Sequence, residues 1–129
     1  MAERKKALII DPSLFFRRTL KDVIQTSEPH VVVNQAADAD QALAILRNEF
    51  QDVVFMDIVL PSGNGIEFIG RIRDLLPGTR IVVMTSHDSA EHEEASLQFG
   101  ADFFLSKERA VGLPLIDVIH ATLSGQSVG

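Results

Sequence analysis

The sequence predicts one α/β domain, a three-layer doubly wound (βα)5 sandwich built on a five-stranded parallel sheet. Five short apolar runs recur along the chain without alternating with polar residues, as strands buried on both faces require. Between them lie segments whose apolar residues repeat every three or four positions, the pattern of helices with one buried stripe. Right-handed crossovers between parallel strands then place helices on both faces of the sheet.

The elements follow in order. Ala7 to Ile10 is the first run, and Phe16, Leu20, Val23 and Ile24 mark the stripe of the first helix. Val31 to Val33 is the second run, followed by Ala42, Ile45 and Leu46 on the second helix. Val53 to Met56 precedes a third helix carrying Ile66, Ile69, Ile72 and Leu76, which Pro77-Gly78 separates from the fourth run, Ile81 to Met84. The fourth helix, about Ser89 to Phe99, has few apolar positions; Asp88, Glu91, Glu93 and Glu94 favour its start, where carboxylates meet unpaired amides and the positive end of the dipole. Phe103 to Leu105 is the fifth run, and Pro114 opens a fifth helix striped by Ile116, Ile119 and Leu123. Residues 1–124 are read as the domain and 125–129 as a tail or the start of a linker.

Composition narrows the function classes. The chain has 129 residues, 46% of them hydrophobic, enough for a full core without disulfide or metal staples. With no cysteine, a disulfide scaffold, a thiolate metal site and a cysteine nucleophile are excluded. A net charge of −6 with no Trp or Tyr argues against direct nucleic-acid binding, which needs clustered Lys and Arg. Only Ala7 to Ile10 separate the basic start from Asp11, too few for a signal-peptide core or a membrane span. A soluble, unprocessed, cytoplasmic chain is expected.

In open α/β sheets ligands bind beyond the carboxyl ends of the strands. Asp11, Asp57 and Thr85 directly follow the first, third and fourth runs, and Lys107 lies two residues past Leu105. Two carboxylates, a hydroxyl and an ammonium group are thus expected along one edge. His87 and His92 lack the i, i+4 spacing of a helical zinc pair, and Gly63-Asn64-Gly65 reads as a flexible loop, not a phosphate-binding fingerprint.

These residues lie in stretches that resemble the receiver domain of two-component response regulators. The stretches are Ile9-Ile10-Asp11, Met56-Asp57-Ile58-Val59-Leu60-Pro61-Ser62-Gly63-Asn64-Gly65, Met84-Thr85-Ser86 and Gly100-Ala101-Asp102-Phe103-Phe104-Leu105-Ser106-Lys107. The similarity runs from about Lys6 to Leu123. It implies a flavodoxin-like fold with strand order 2-1-3-4-5, which sets Asp11 beside Asp57. It also implies that Asp57 is a phosphoacceptor, forming an acyl phosphate at the expense of a phosphohistidine. Lys107 would hold the phosphoryl oxygens as a point charge and Thr85 would donate its hydroxyl to them. Asp11, Asp57 and the backbone carbonyl of Val59 would bind Mg²⁺. Thr85 and Phe104 would form the switch. On the residues alone, β propensity explains Thr85 equally well, and Phe104 also suits an ordinary core position.

Two positions depart from the family pattern. Receivers usually carry a second acid after the first strand, where this chain has Pro12, so one metal ligand is lost and weakened Mg²⁺ binding is expected. Glu108 replaces a common proline and resembles receivers joined to helix-turn-helix output domains. Apolar Val59 cannot position an attacking water, which favours a long-lived phosphorylated state.

The expected function is a signalling switch, not an enzyme. The partners implied are a sensor histidine kinase or phosphotransfer protein, a second copy through helix 4, strand 5 and helix 5, and a DNA-binding output domain outside this chain. The alternative is a degenerate pseudo-receiver that binds partners without phosphorylation. A phosphohydrolase would need an acid at Val59, and a flavin protein a Ser/Thr-rich loop after the first strand; the sequence has neither.

Overall fold

The structure, a computed structural model, describes residues 4–109 and 112–124, so the expected tail over 125–129 lies outside the described residues. The chain runs β1 (Lys6–Ile10), α1 (Leu14–Ser27), β2 (Val32–Ala36), α2 (Ala39–Asn48), β3 (Val53–Met56), β4 (Val59–Leu60), β5 (Gly63–Asn64), α3 (Gly65–Leu75), β6 (Arg80–Thr85), α4 (Ala90–Phe99), β7 (Phe103–Ser106) and α5 (Leu113–Leu123). Five strands form one parallel sheet in the order β2-β1-β3-β6-β7. Counted along these five long strands, that is the expected 2-1-3-4-5 arrangement of a flavodoxin-like sandwich.

The strand periodicity splits the core in two. Leu8, Ile10, Val54, Met56, Ile81 and Val83 face α2 and α3, while Ala7, Ile9, Val53, Phe55, Val82 and Met84 face α1 and α5. Each strand thus gives alternate residues to opposite layers, and continuous apolar runs are the sequence cost of being covered twice.

Two elements differ from the sequence reading. β2 extends through Asn34 and Gln35, beyond Val31 to Val33, because it lies at the sheet edge, where partial exposure tolerates polar side chains. The segment expected to be a flexible loop instead pairs: β4 and β5 form an antiparallel hairpin across Pro61-Ser62, with Val59 opposite Asn64 and Leu60 opposite Gly63. The hairpin is anchored at both ends. Asp38 accepts hydrogen bonds from the Ser62 hydroxyl at 2.8 Å and the Ser62 amide at 3.3 Å, and the Gly65 amide donates to the Ile58 carbonyl at 2.8 Å.

Helix α4 begins with Ser89, whose hydroxyl accepts the His92 amide; Asp88 instead pairs with Arg109. At the far end of the sheet, Arg73 ties α3 to two loops. It donates to the carbonyls of Pro77, Thr79 and Gly100 and to the Asp102 carboxylate, which accepts the Ile81 amide at 2.8 Å.

A Cβ on Gly65 would lie 2.7 Å from both the Cα and the carbonyl oxygen of Ile58, too close for any side chain. Gly65→Ala is therefore expected to lower unfolding stability by about 1–3 kcal/mol in urea titrations. Gly78→Ala, whose Cβ meets nothing within 4 Å, should stay within about 0.5 kcal/mol of the native protein.

Candidate functional site

The register brings the two acids together. Ile10 pairs with Met56, and the Asp57 amide donates to the Ile10 carbonyl at 3.1 Å, so Asp11 and Asp57 leave adjacent strands at the same level. Both are buried, at 1% and 8% exposure. Two unscreened carboxylates would repel strongly there. The Lys107 ammonium, carried by the turn after β7, lies 2.7 Å from Asp11 Oδ2 and donates to Asp57 Oδ2 at 2.9 Å. Burial disfavours its charge, but the Asp11 and Asp57 contacts outweigh that and raise its pKa above the ordinary value.

The remaining carboxylate oxygens fix the local backbone. Asp11 Oδ1 accepts the Ser13 amide at 2.8 Å, and Asp57 Oδ1 accepts the Val59 amide at 3.2 Å. Because Gly65 bonds to Ile58, the ladder's alternation makes Val59 and Asn64 a non-hydrogen-bonded pair. The Val59 amide and carbonyl therefore point away from β5, on the side of Asp57. The residue as a whole is 48% exposed.

Thr85 is fully buried at the end of β6, and its hydroxyl accepts the His87 amide at 3.0 Å, leaving its own proton to donate. The Lys107 amide donates to the Thr85 carbonyl at 3.0 Å, so the two residues share one edge. Phe104 is half-buried on β7 and packs against the core layer of α2 and α3. It also lines a cleft with Asp88, Glu93, Ser106, Arg109 and Pro114, between α4 and α5.

The loops behind Thr85 and Lys107 are joined by the Ser86 hydroxyl on Glu108 at 2.7 Å and by Arg109 on Asp88 at 2.7 Å. The Ser106 hydroxyl and Arg109 hold the Asp88 carboxyl below its ordinary pKa. His87 and His92 meet edge to face, with ring centroids 6.2 Å apart.

Three contributors escaped the sequence reading. Ser13 caps α1 by accepting the Phe16 amide at 3.1 Å; a serine three residues ahead of an apolar stripe is a readable signal for it. Arg17 donates to the Asp11 carbonyl at 2.6 Å and to Gln35 at 3.1 Å. Phe16, read as a stripe residue, lies under the Lys107 ammonium, 4.3 Å from ring centroid to nitrogen. Only the tertiary structure brings that pair together.

No group of three or more His, Asp or Glu side chains able to hold a metal occurs among the described residues. Two carboxylates do converge, and among the described residues the buried Asp11 Oδ2 meets no polar partner besides the Lys107 ammonium, 2.7 Å away. A hard cation that takes one or two carboxylates and completes its shell with water and phosphate oxygens fits such a pair.

A five-stranded doubly wound sheet with acids and a lysine at its carboxyl edge defines a CheY-like signalling domain. The response regulator receiver domain family matches residues 7–113, and this chain belongs to it. The transcriptional regulatory protein MctR of Rhizobium johnstonii is 36% identical over 84% of this chain, which spans only 51% of MctR. A CheY-like receiver domain from Methanospirillum hungatei superposes with a TM-score of 0.83 at 29% identity, covering 96% of this chain and 97% of that one. A Burkholderia pseudomallei response regulator with a phosphorylated aspartic acid, calcium ion and citrate superposes at 0.79 with 28% identity, covering 95% of this chain and 68% of that one. No helix among the described residues is long and apolar enough to cross a membrane.

The raised Lys107 pKa fixes the sign of a pH effect. Its stabilising contribution is complete below the ordinary value of 10.5 and is lost as pH rises through the higher folded value. Lys107→Met is expected to cost about 2 kcal/mol at neutral pH, less than a fully buried pair because the lysine keeps some solvent contact. Urea titrations of both proteins should show that difference shrinking only above pH 10.5.

Proposed function

We propose that the chain is a phosphoryl-accepting switch. An Asp57 carboxylate oxygen bonds to the phosphorus of a phosphohistidine on a sensor histidine kinase or phosphotransfer protein. The P–N bond breaks, its electron pair leaves with the imidazole, and the product is an acyl phosphate. The observation that carries this reading is the Lys107 ammonium 2.7 Å and 2.9 Å from the two buried carboxylates. It is placed to follow the negative charge from the carboxylate to the phosphoryl oxygens.

Asp11, Asp57 and the Val59 carbonyl would hold Mg²⁺, less tightly than a site with an acid in place of Pro12. Bound there, the metal offsets repulsion between the carboxylate and the incoming phosphoryl group. The phosphorylated aspartic acid and calcium ion of the Burkholderia pseudomallei protein support this assignment. Thr85 has a hydroxyl proton free to donate to a phosphoryl oxygen, and half-buried Phe104 is its switch partner. The readout face is formed by α4, β7 and α5, through which a second copy or another partner docks. MctR, a transcriptional regulatory protein about twice as long as the matched region, supports a DNA-binding output domain outside these 129 residues. We place the domain over residues 1–124 and its action in the cytoplasm.

Pro12 favours a second reading, a pseudo-receiver that keeps the fold and docks partners unmodified. Incubation with acetyl phosphate and Mg²⁺, followed by intact mass measurement, separates the two. The expected result is one phosphoryl adduct that Asp57→Asn abolishes. No adduct on a folded protein that also ignores beryllofluoride would favour the pseudo-receiver, and gain of the adduct in Pro12→Asp would then locate the defect. A further expectation concerns Val59, whose apolar side chain cannot orient water beside the acyl phosphate. Val59→Asn should shorten the adduct's lifetime about tenfold after donor removal, measured by loss of the phosphoryl mass.

A further inference from the structure

We infer that Phe16 is a positioning residue for Lys107, its aromatic face forming the third wall of the ammonium site. Its kinetic consequence rests on the phosphoryl-transfer reading; its geometry does not. The Lys107 nitrogen sits 4.3 Å from the Phe16 ring centroid, within the range in which a ring quadrupole attracts a cation. The attraction is stronger here than on an open surface because the lysine side chain is only 17% exposed.

A closed circuit of contacts holds the ring in place. Asp11 Oδ1 accepts the Ser13 amide at 2.8 Å, the Ser13 hydroxyl accepts the Phe16 amide at 3.1 Å, and the Phe16 ring carries Lys107, which returns to Asp11 Oδ2 at 2.7 Å. Pro12 lies inside this circuit, between the carboxylate and the cap, where its fixed φ stiffens the turn that leads into α1. The residue that removes an acid from the site thus helps to aim the ring that steadies the lysine. A four-carbon stem has many rotamers, and with two carboxylates to guide it the ammonium gains its remaining definition from the aromatic face.

Two measurements test this. In the native protein the Lys107 ε-methylene protons should be shifted upfield in NMR spectra by the ring current. Phe16→Leu and Phe16→Met, which keep an apolar side chain without a ring, should return them to ordinary positions, and Phe16→Tyr should keep the shift. Labelling by acetyl phosphate with Mg²⁺ should slow about three- to tenfold in the Leu and Met variants and recover in Phe16→Tyr. A purely structural role would lower melting temperature without following the presence of a ring. Absence of the upfield shift in the native protein, or labelling of the Leu and Met variants at the native rate, overturns the inference. A native protein that shows the shift but takes no label retains the placement of Lys107 and overturns the phosphoryl reading instead.

Discussion

Two ionised carboxylates side by side in a buried strand-end site repel strongly unless a cation lies between them, and in this protein Lys107 supplies it. The parallel sheet creates the problem, since strands ending at one level deliver Asp11 and Asp57 to adjacent positions. It also provides the remedy: the turn after β7 brings an ammonium within 2.7 Å and 2.9 Å of both acids. The site is therefore a property of the sheet's register, and much of the local backbone serves to hold it. Ser13, Arg17 and Val59 each bond to an atom of Asp11 or Asp57.

The two ends of the sheet are built differently. At the amino end, Arg73 gathers carbonyls from three residues and the Asp102 carboxylate, satisfying polar groups that are costly to leave unpaired. Helix α4 buries only Ser96, whose hydroxyl has no hydrogen-bond partner, and at the carboxyl end the loop that leads into it is joined to the Lys107 loop through Ser86 and Asp88 by surface contacts. Such exposed contacts are individually weak. The far end of α4 packs against α3, where Phe99 lies beside Gly70, whereas its start is tied to the site only through those loop contacts. That asymmetry suits a domain whose proposed readout face includes α4, since exposed loop contacts at the site end rearrange at little cost.

The β4–β5 hairpin explains how a short glycine-rich stretch contributes to the site. Pairing of Leu60 with Gly63 turns the chain sharply, and Gly65 allows close backbone approach to Ile58. As a result Val59 keeps its amide and carbonyl on the side of Asp57. In the sequence Pro61-Ser62-Gly63-Asn64-Gly65 are all turn residues, which specify flexibility and tight pairing equally well.

The sequence by itself determined the layered α/β architecture, because continuous apolar runs and helical stripes reflect burial on two faces and one face respectively. It also determined which residues end the strands, so Asp11, Asp57, Thr85 and Lys107 were legible as a set. Edge strand β2 was only partly legible, since exposure at the sheet edge allows Asn34 and Gln35 where a central strand would need apolar residues. Tertiary structure alone decided that Lys107 bridges both acids and rests on Phe16, residues 91 positions apart in the chain. Periodicity records which face of an element is buried, but contacts between side chains distant in sequence depend on strand register, helix placement and rotamer.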